Sequence, residues 1–318
     1  MTTKTLVIKG KGGLGNRILS AVSGLVYADL SGRTPVIDWR DGCYAPLGEN
    51  AYPLLFQSPI TGENVEDHTD ICPAIWTGKL HRQPQDMIDA YMPQSHSNPW
   101  GYRRLCVDLK RLDHPQETAV YWSYLPKLAR MQHHLRRDPR FANRGEREIL
   151  ADYLGRYFTP NARVRRALSQ MRPTTKRPSI GVHIRFTDRK IPLRPVLATL
   201  RRLKQCQPDA TIFLATDNAQ IEQRLTCEFD KVMTHPKRLD ASGHRLHGPD
   251  TTCDQQREAE NALIDMWQLS RCDHLIYSHR STFSVTSACL GCFSKVHTHD
   301  VERFSVRLWA KDLLQRYA

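Results

Sequence analysis

Long apolar runs are missing from this 318-residue chain. Nothing approaches the ~18 consecutive apolar residues that a membrane span needs, so at most peripheral association with a bilayer is expected. The first residues, Met1-Thr-Thr-Lys-Thr-Leu-Val-Ile-Lys9, turn directly into a strand pattern. They lack the apolar h-region and small-residue cleavage site of a secretory signal, which points to a cytoplasmic location. Paired cysteine motifs are scarce as well. The nine cysteines are scattered, odd in number, and include one close pair, Cys289-Leu-Gly-Cys292. A zinc ribbon needs two such pairs, so the pattern suits buried, reduced thiols. No internal repeat is present.

What is there is ordinary in amount and uneven in charge. Hydrophobic content of 40% and charged content of 25% are those of a soluble globular protein, and the length suits two domains. The net charge of +13 implies affinity for something anionic. Many arginines fall between Arg130 and Arg172. That region has no recognisable nucleic-acid motif and no interleaved aromatic platforms, so no nucleic-acid partner is expected. A solvated helical surface, or attraction toward a phosphorylated or acidic substrate, accounts for the charge equally well.

The most informative stretch is Ser179-Ile-Gly-Val-His-Ile-Arg-Phe-Thr-Asp-Arg-Lys190. Ile180, Val182 and Ile184 alternate with Gly181, His183 and Arg185, the period of a strand. The strand ends in a cluster of charge, as open α/β sheets do at a ligand crevice. Arg185 there offers fixed donors suited to phosphate oxygens. A core strand that merely ends in solvated loop is the competing explanation.

Around it the chain reads as α/β. The N-terminal strand is followed by Gly10-Lys-Gly-Gly-Leu-Gly-Asn-Arg17 and then a helix closed at Gly32. Strand, glycine turn and helix can cradle an anion, with Gly13 and Asn16 at the helix start. The turn also resembles the deviant P-loop of ATPases. The catalytic Lys and magnesium-binding Ser/Thr would fall at Asn16 and Arg17, which rejects that reading. A second strand spans Thr34 to Trp39, and residues 42–116 read as irregular with a short strand near Ile71 to Trp76. Helices are expected over Leu125–Arg137, Arg144–Tyr157 and Pro160–Met171, the last with a Thr159 cap and Pro160 at its first position. The proline-bracketed segment Arg172-Pro-Thr-Thr-Lys-Arg-Pro178 is the expected boundary between domains 1–175 and 176–318. Beyond it strands and helices alternate, which implies a mostly parallel sheet. The final helix, Phe304–Tyr317, could pack back on the first domain.

Three strand ends of the second half converge if its sheet is doubly wound: His183/Arg185/Asp188, Ala215-Thr-Asp217, and Tyr277-Ser-His-Arg-Ser-Thr-Phe-Ser284. The third opens a helix with Ser281 and Thr282, which suits a diphosphate. Plain N-capping explains the same two residues. His297/His299 and His244/His247 are close pairs without an obvious third ligand, so no metal is expected.

Several of these segments, in order, resemble the fucosyltransferase superfamily, closest to the α1,6-fucosyltransferases of the nodulation and core-fucosylation type. His183-Ile-Arg-Phe-Thr-Asp188 looks like their His-x-Arg-x-x-Asp motif, and Ile212-Phe-Leu-Ala-Thr-Asp217 like their strand ending in Thr-Asp. Ala262-Leu-Ile-Asp-Met-Trp-Gln-Leu-Ser-Arg-Cys-Asp273 followed by Ser281-Thr-Phe-Ser284 resembles their third motif. Gly12-Gly-Leu-Gly-Asn16 and Val36-Ile-Asp-Trp-Arg40 are similar to the nodulation type. Residues 43–175 are hardly covered.

The resemblance implies a GT-B-like architecture, two Rossmann-type domains facing a cleft, the first on the acceptor side and the second binding the GDP-sugar. It implies transfer of L-fucose from GDP-fucose to an oligosaccharide or glycoconjugate, inverting and without a metal cofactor. Arg185 would bind the β-phosphate, Ser281 and Thr282 the diphosphate, and His183 and Asp265 the guanosine. Asp217, Gly13 and Asn16 would complete the donor site. Core-fucosylating members have a Glu a few residues past the motif as base. Here Ile191-Pro-Leu-Arg194 stands there, so Asp188 is the base candidate within the motif, with Asp38 and Asp41 as others. A non-catalytic nucleotide- or glycan-binding protein, or a transferase using another nucleotide sugar, are the alternatives.

Overall fold

The computed structural model describes residues 4–60, 65–93, 100–171, 177–186, 191–237, 239, 254–302 and 305–317. They form two compact units: Met1–Thr159 with Phe304–Ala318, and Pro160–Arg303. Each is built on a parallel sheet with helices, the α/β fold expected from the sequence.

In the first unit β1 (Thr5–Lys9) is followed by α1 (Leu14–Ser31), then β2 (Thr34–Asp38), β3 (Ile71–Cys72), α2 (Pro84–Tyr91) and β4 (Thr118–Tyr121). The strand order is β2-β1-β4-β3, all parallel. α1 packs on one face. A Cβ added at Gly24 would lie 2.9 Å from Ile8, so only glycine lets the helix approach this closely. Gly32, at φ +67, closes α1 in the left-handed conformation expected there. On the other face Val7 packs with Trp76, Leu80, Met87, Ile88 and Trp122.

The second unit runs β5 (Ser179–Ile184), α5 (Leu193–Cys206), β6 (Thr211–Thr216), α6 (Ala219–Glu228), β7 (Val232–Thr234), α7 (Gln255–Leu269), β8 (His274–Tyr277), α8 (Thr282–Leu290) and β9 (Thr298–Asp300). It is preceded by α4 (Ala162–Gln170), while α3 (Glu146–Tyr157) and the terminal α9 (Val306–Tyr317) belong to the first unit. The order is β9-β8-β5-β6-β7 and every pairing is parallel. The two-residue period of β5 sorts its faces. Ile180, Val182 and Ile184 enter one core with Val196, Leu200 and Ile212. Gly181 faces Leu269 and Cys272, which an added Cβ would meet at 3.1 and 3.2 Å. His183 lies on that same side.

The compact units divide after Thr159, and α4 packs on α7 in the second unit. Some sequence expectations are corrected. Within α4, the cap is Asn161, whose side chain accepts from Val164 N at 2.9 Å, and Thr159–Pro160 is extended. No continuous helix spans Leu125–Arg137. Leu128–Met131 is a 3-10 turn followed by a short helix, Gln132–Leu135, with Lys127 N donating to Ser23 Oγ on α1. The strand near Ile71 stops at Cys72, since Pro73 cannot continue a ladder. α2 was hidden in the stretch read as irregular. Pro84 at its first position and Asp86, accepting from Gln83 N at 2.8 Å, start it.

Candidate functional site

The sheet of the second unit has a topological switch point. From β5 the chain moves out to β6 and β7, then returns to β8 on the other flank of β5. Ligands of open α/β sheets bind at the carboxyl ends of such strand pairs. Here β5 ends in His183 and Ile184 and is followed by Arg185, while β8 ends at Tyr277 and leads through Ser278–Ser281 into α8.

Neighbouring strands hold that loop in place. Ser278 Oγ donates to Glu302, and His279 Nδ1 pairs with Asp300 Oδ2 at 2.6 Å. Ser281 is the residue before α8, yet its side chain makes no capping hydrogen bond. Its hydroxyl is buried, with the residue 5% exposed, and has no partner among the described residues. Helix starts normally use such a hydroxyl to satisfy a first-turn N–H. A buried hydroxyl without a partner at an uncapped helix start is an arrangement that can accept an anion.

His183 sits beside it. Its Nδ1 is engaged by Ser284 Oγ in the first turn of α8, and its ring stacks on Phe283 at 4.7 Å with planes 21° apart. Burial, helped by the charges of Arg185 and Lys237, lowers its pKa to about 3. The imidazole is neutral at any physiological pH, so it offers hydrogen bonds and no charge. The folded pKa lies below the unfolded value near 6.5. Stability from this group is thus full above about pH 6.5 and lost as pH falls toward 3. Between pH 6.5 and 4.5 the native protein should lose on the order of 2 kcal/mol more than His183→Asn, read from thermal melts. Parallel pH dependence in the two proteins would show that His183 titrates normally.

Lys237 follows β7 and forms an ion pair with Asp265 of α7. Burial raises the Asp265 pKa although the Lys237 charge opposes it. Asp265 Oδ1 has no hydrogen-bond partner among the described residues. Asp217, expected at the donor, accepts from Phe186 N at 2.7 Å and so ties the end of β6 to the chain just past Arg185. Arg185 O in turn accepts from Ile191 N at 3.0 Å. The structure thus groups His183, Arg185, Ser281, Thr282 and Asp265 at one end of one sheet. Residues 187–190, with Asp188 among them, lie outside the described residues.

The residues missed by the sequence reading are Lys237, Phe283 and Ser284. Ser284 stood inside the quoted motif, but its bond to His183 crosses 101 positions and no local spacing announces it. Lys237 left one signal, a polar run immediately after a short strand.

In the first unit Gly13 and Asn16 open α1, whose start has no side-chain cap. The turn's conformational demand falls on Gly12, at φ +74, rather than on Gly13 at φ −66. Arg17 is fully buried, with Nε donating to Gly12 O at 2.8 Å and the guanidinium forking onto Asp41. Burial alone would raise the Asp41 pKa, but Arg17 outweighs it and holds the carboxyl below its usual range. Asp38 pairs with buried Lys9 at 2.6 Å and with Arg40 at 3.1 Å. Both possible bases of this unit are therefore ion-paired. Beside Asp38 and Arg40 lies a cavity of about 780 Å³, also lined by Glu66, Asp67, Gln83 and Asp86. Neither polar atom of the buried Gln83 amide has a partner among the described residues.

His299 Nε2 lies 3.3 Å from His274 Nδ1, and the His297 ring is 5.0 Å from that of His274. No cluster of three or more His, Cys, Asp or Glu arranged to hold a metal occurs among the described residues. Nor is any described helix long and apolar enough to cross a membrane.

Against known proteins, no family model matches the chain, and no curated protein does. Solved structures do. The NodZ α-1,6-fucosyltransferase soaked with GDP-fucose superposes with a TM-score of 0.64 at 21% identity, over 91% of this chain and 93% of that one. Fucosyltransferase NodZ from Bradyrhizobium gives 0.61 at 22% identity, over 90% and 93%. A mutant of Arabidopsis thaliana FUT1 in complex with GDP gives 0.58 at 17% identity, over 96% and 71%. The chain shares their fold.

Proposed function

We propose that this protein is a glycosyltransferase that moves L-fucose from GDP-fucose to a glycan acceptor, inverting the anomeric carbon without a metal. The observation that carries the reading is the orphaned Ser281 hydroxyl at the uncapped start of α8, beside Arg185 and a buried, neutral His183. Fold neighbours crystallised with GDP-fucose or GDP support it, as do the sequence motifs that resemble those of the fucosyltransferase superfamily.

Each group then has a role. The first-turn N–H groups of α8, with Ser281 and Thr282, take the diphosphate. Arg185 holds the β-phosphate, where negative charge builds up as the glycosidic bond breaks. His183 keeps Nδ1 on Ser284 and offers its other ring nitrogen to the nucleoside. The unpaired Asp265 oxygen accepts from the N–H edge of guanine, and Asp217 keeps Arg185 in register. Asp188, two residues beyond Phe186 in sequence, is a site residue that orients the neighbouring cations, and it is one of three candidate bases with Asp38 and Asp41. The polar cavity beside Asp38 and Gln83 is of a size for an acceptor sugar.

Ser281→Ala tests the reading against simple capping. If Ser281 serves the donor, the variant keeps its melting temperature, because an unpaired buried hydroxyl contributes nothing favourable to folding. GDP affinity falls about tenfold, the loss of one good hydrogen bond to a charged group. A capping residue would do the reverse, costing about 1 kcal/mol of stability and leaving GDP binding alone.

A further inference from the structure

The terminal helix α9 wears its apolar side outward. At 100° per residue, Val306, Trp309, Leu313, Leu314 and Tyr317 fall on one face. Those five are 67, 55, 40, 57 and 43% exposed. The helix is nonetheless anchored: it packs on Leu128–Met131, and Lys127 Nζ and Arg103 donate to the carbonyls of Gln315 and Tyr317 at its C-terminus. Arg103 lies 4.0 Å over the ring of Trp100, itself 47% exposed, which extends the stripe.

The charge beside the stripe is mostly positive. Arg103, Lys127 and Arg130 lie within reach of one another, Arg130 buried and paired with Asp108 at 2.7 Å, and Arg104, next to Arg103 in the chain, is exposed. Burial lowers the Lys127 pKa to about 8, and the Arg130 and Arg103 cations push it the same way. A second copy laid on the stripe would bring two such clusters face to face. An anionic surface would relieve both the apolar exposure and the charge.

We propose that α9 docks the protein on an anionic lipid surface, with Trp309, Leu313, Leu314 and Tyr317 entering the headgroup boundary and the adjoining basic cluster meeting the lipid charge. The 12-residue helix, about 18 Å long, is suited to lying in that plane, aromatic residues near its ends. The inference is independent of the donor site.

The test is co-sedimentation of the full chain with phosphatidylcholine vesicles, alone or with about one lipid in three replaced by phosphatidylserine. The protein should bind the anionic vesicles, release as salt rises, and bind neutral ones at least about tenfold more weakly. Trp309→Gln with Leu313→Gln should lose about tenfold or more in affinity, and Arg104→Glu should weaken only the anionic binding. Melting temperature and GDP affinity report that each variant is folded. Failure of the wild type to bind anionic vesicles, or undiminished binding by the double variant, overturns the proposal. So does a wild-type dimer in sedimentation equilibrium that the double variant converts to monomer, since the stripe would then be a self-association surface.

Discussion

Arg185→Lys should lower fucosyl transfer by about 30- to 1000-fold, on the order of 2–4 kcal/mol in the transition state, with the melting temperature unchanged. The charge survives this substitution, so any loss must come from the planar fork. A lysine reaches a phosphate as a point charge, whereas a guanidinium can hold two oxygens at once and keep them oriented as charge accumulates. The site makes geometry count for more. Arg185 follows the last residue of a central strand, and Phe186 and Ile191 pin the chain on either side of it through Asp217 Oδ1 and the Arg185 carbonyl. The backbone therefore does not shift to let a shorter cation compensate. Near-normal turnover in Arg185→Lys would mean that the residue only decorates the strand end.

The second large effect is on stability. Asp41→Asn should unfold the protein about 10 °C earlier, a loss of about 3–5 kcal/mol, because it leaves a buried guanidinium without its counter-charge. Arg17 has no exposed side-chain surface, and Asp41 has 15%. The one other acceptor described for this guanidinium is the Gly12 carbonyl, and a carbonyl dipole does not replace a carboxylate. Because that carbonyl belongs to the glycine turn, loss of the pair should also loosen the start of α1. The prediction separates two views of Asp41. A catalytic base replaced by Asn loses turnover while the protein melts normally; an ion-pair residue loses stability first. An unchanged melt with abolished transfer would return Asp41 to the active site.

How far the sequence could have led to this point differs between the two units. The strands of the second unit were legible because β5 alternates with a two-residue period and β6 is a short continuous apolar run, both ending in polar residues. That pattern follows from burial on both faces and a crevice at one end. The convergence of His183, Arg185 and Ser281 follows from strand order, and parallel pairing with right-handed crossovers leaves few orders to choose from. The first unit resisted for the opposite reason. Lys9 looks like a solvated strand residue, yet it is 1% exposed, held by Asp38, which is 29 positions away, and by Leu80 O, 71 away. Arg17 looks like the polar edge of a helix and is buried by Asp41, 24 positions on. Pairs of this kind are made by tertiary packing, and no local spacing encodes them. At α4 the failure was one of competition. Thr159-Pro160 and Asn161 both suit a helix start, and Asn161, the stronger N-cap, takes it.

The central claim is that a guanine nucleoside diphosphate binds at the carboxyl ends of β5 and β8. Titration calorimetry of the wild-type protein with GDP, UDP and CMP tests it most directly. Binding of GDP at micromolar concentration, with UDP and CMP at least about tenfold weaker, is the predicted result, since guanine alone of the three bases presents two adjacent donors, N1–H and N2–H, to the Asp265 carboxylate with its unpaired buried oxygen. Equal or tighter binding of UDP, or no heat with any of the three, would contradict it.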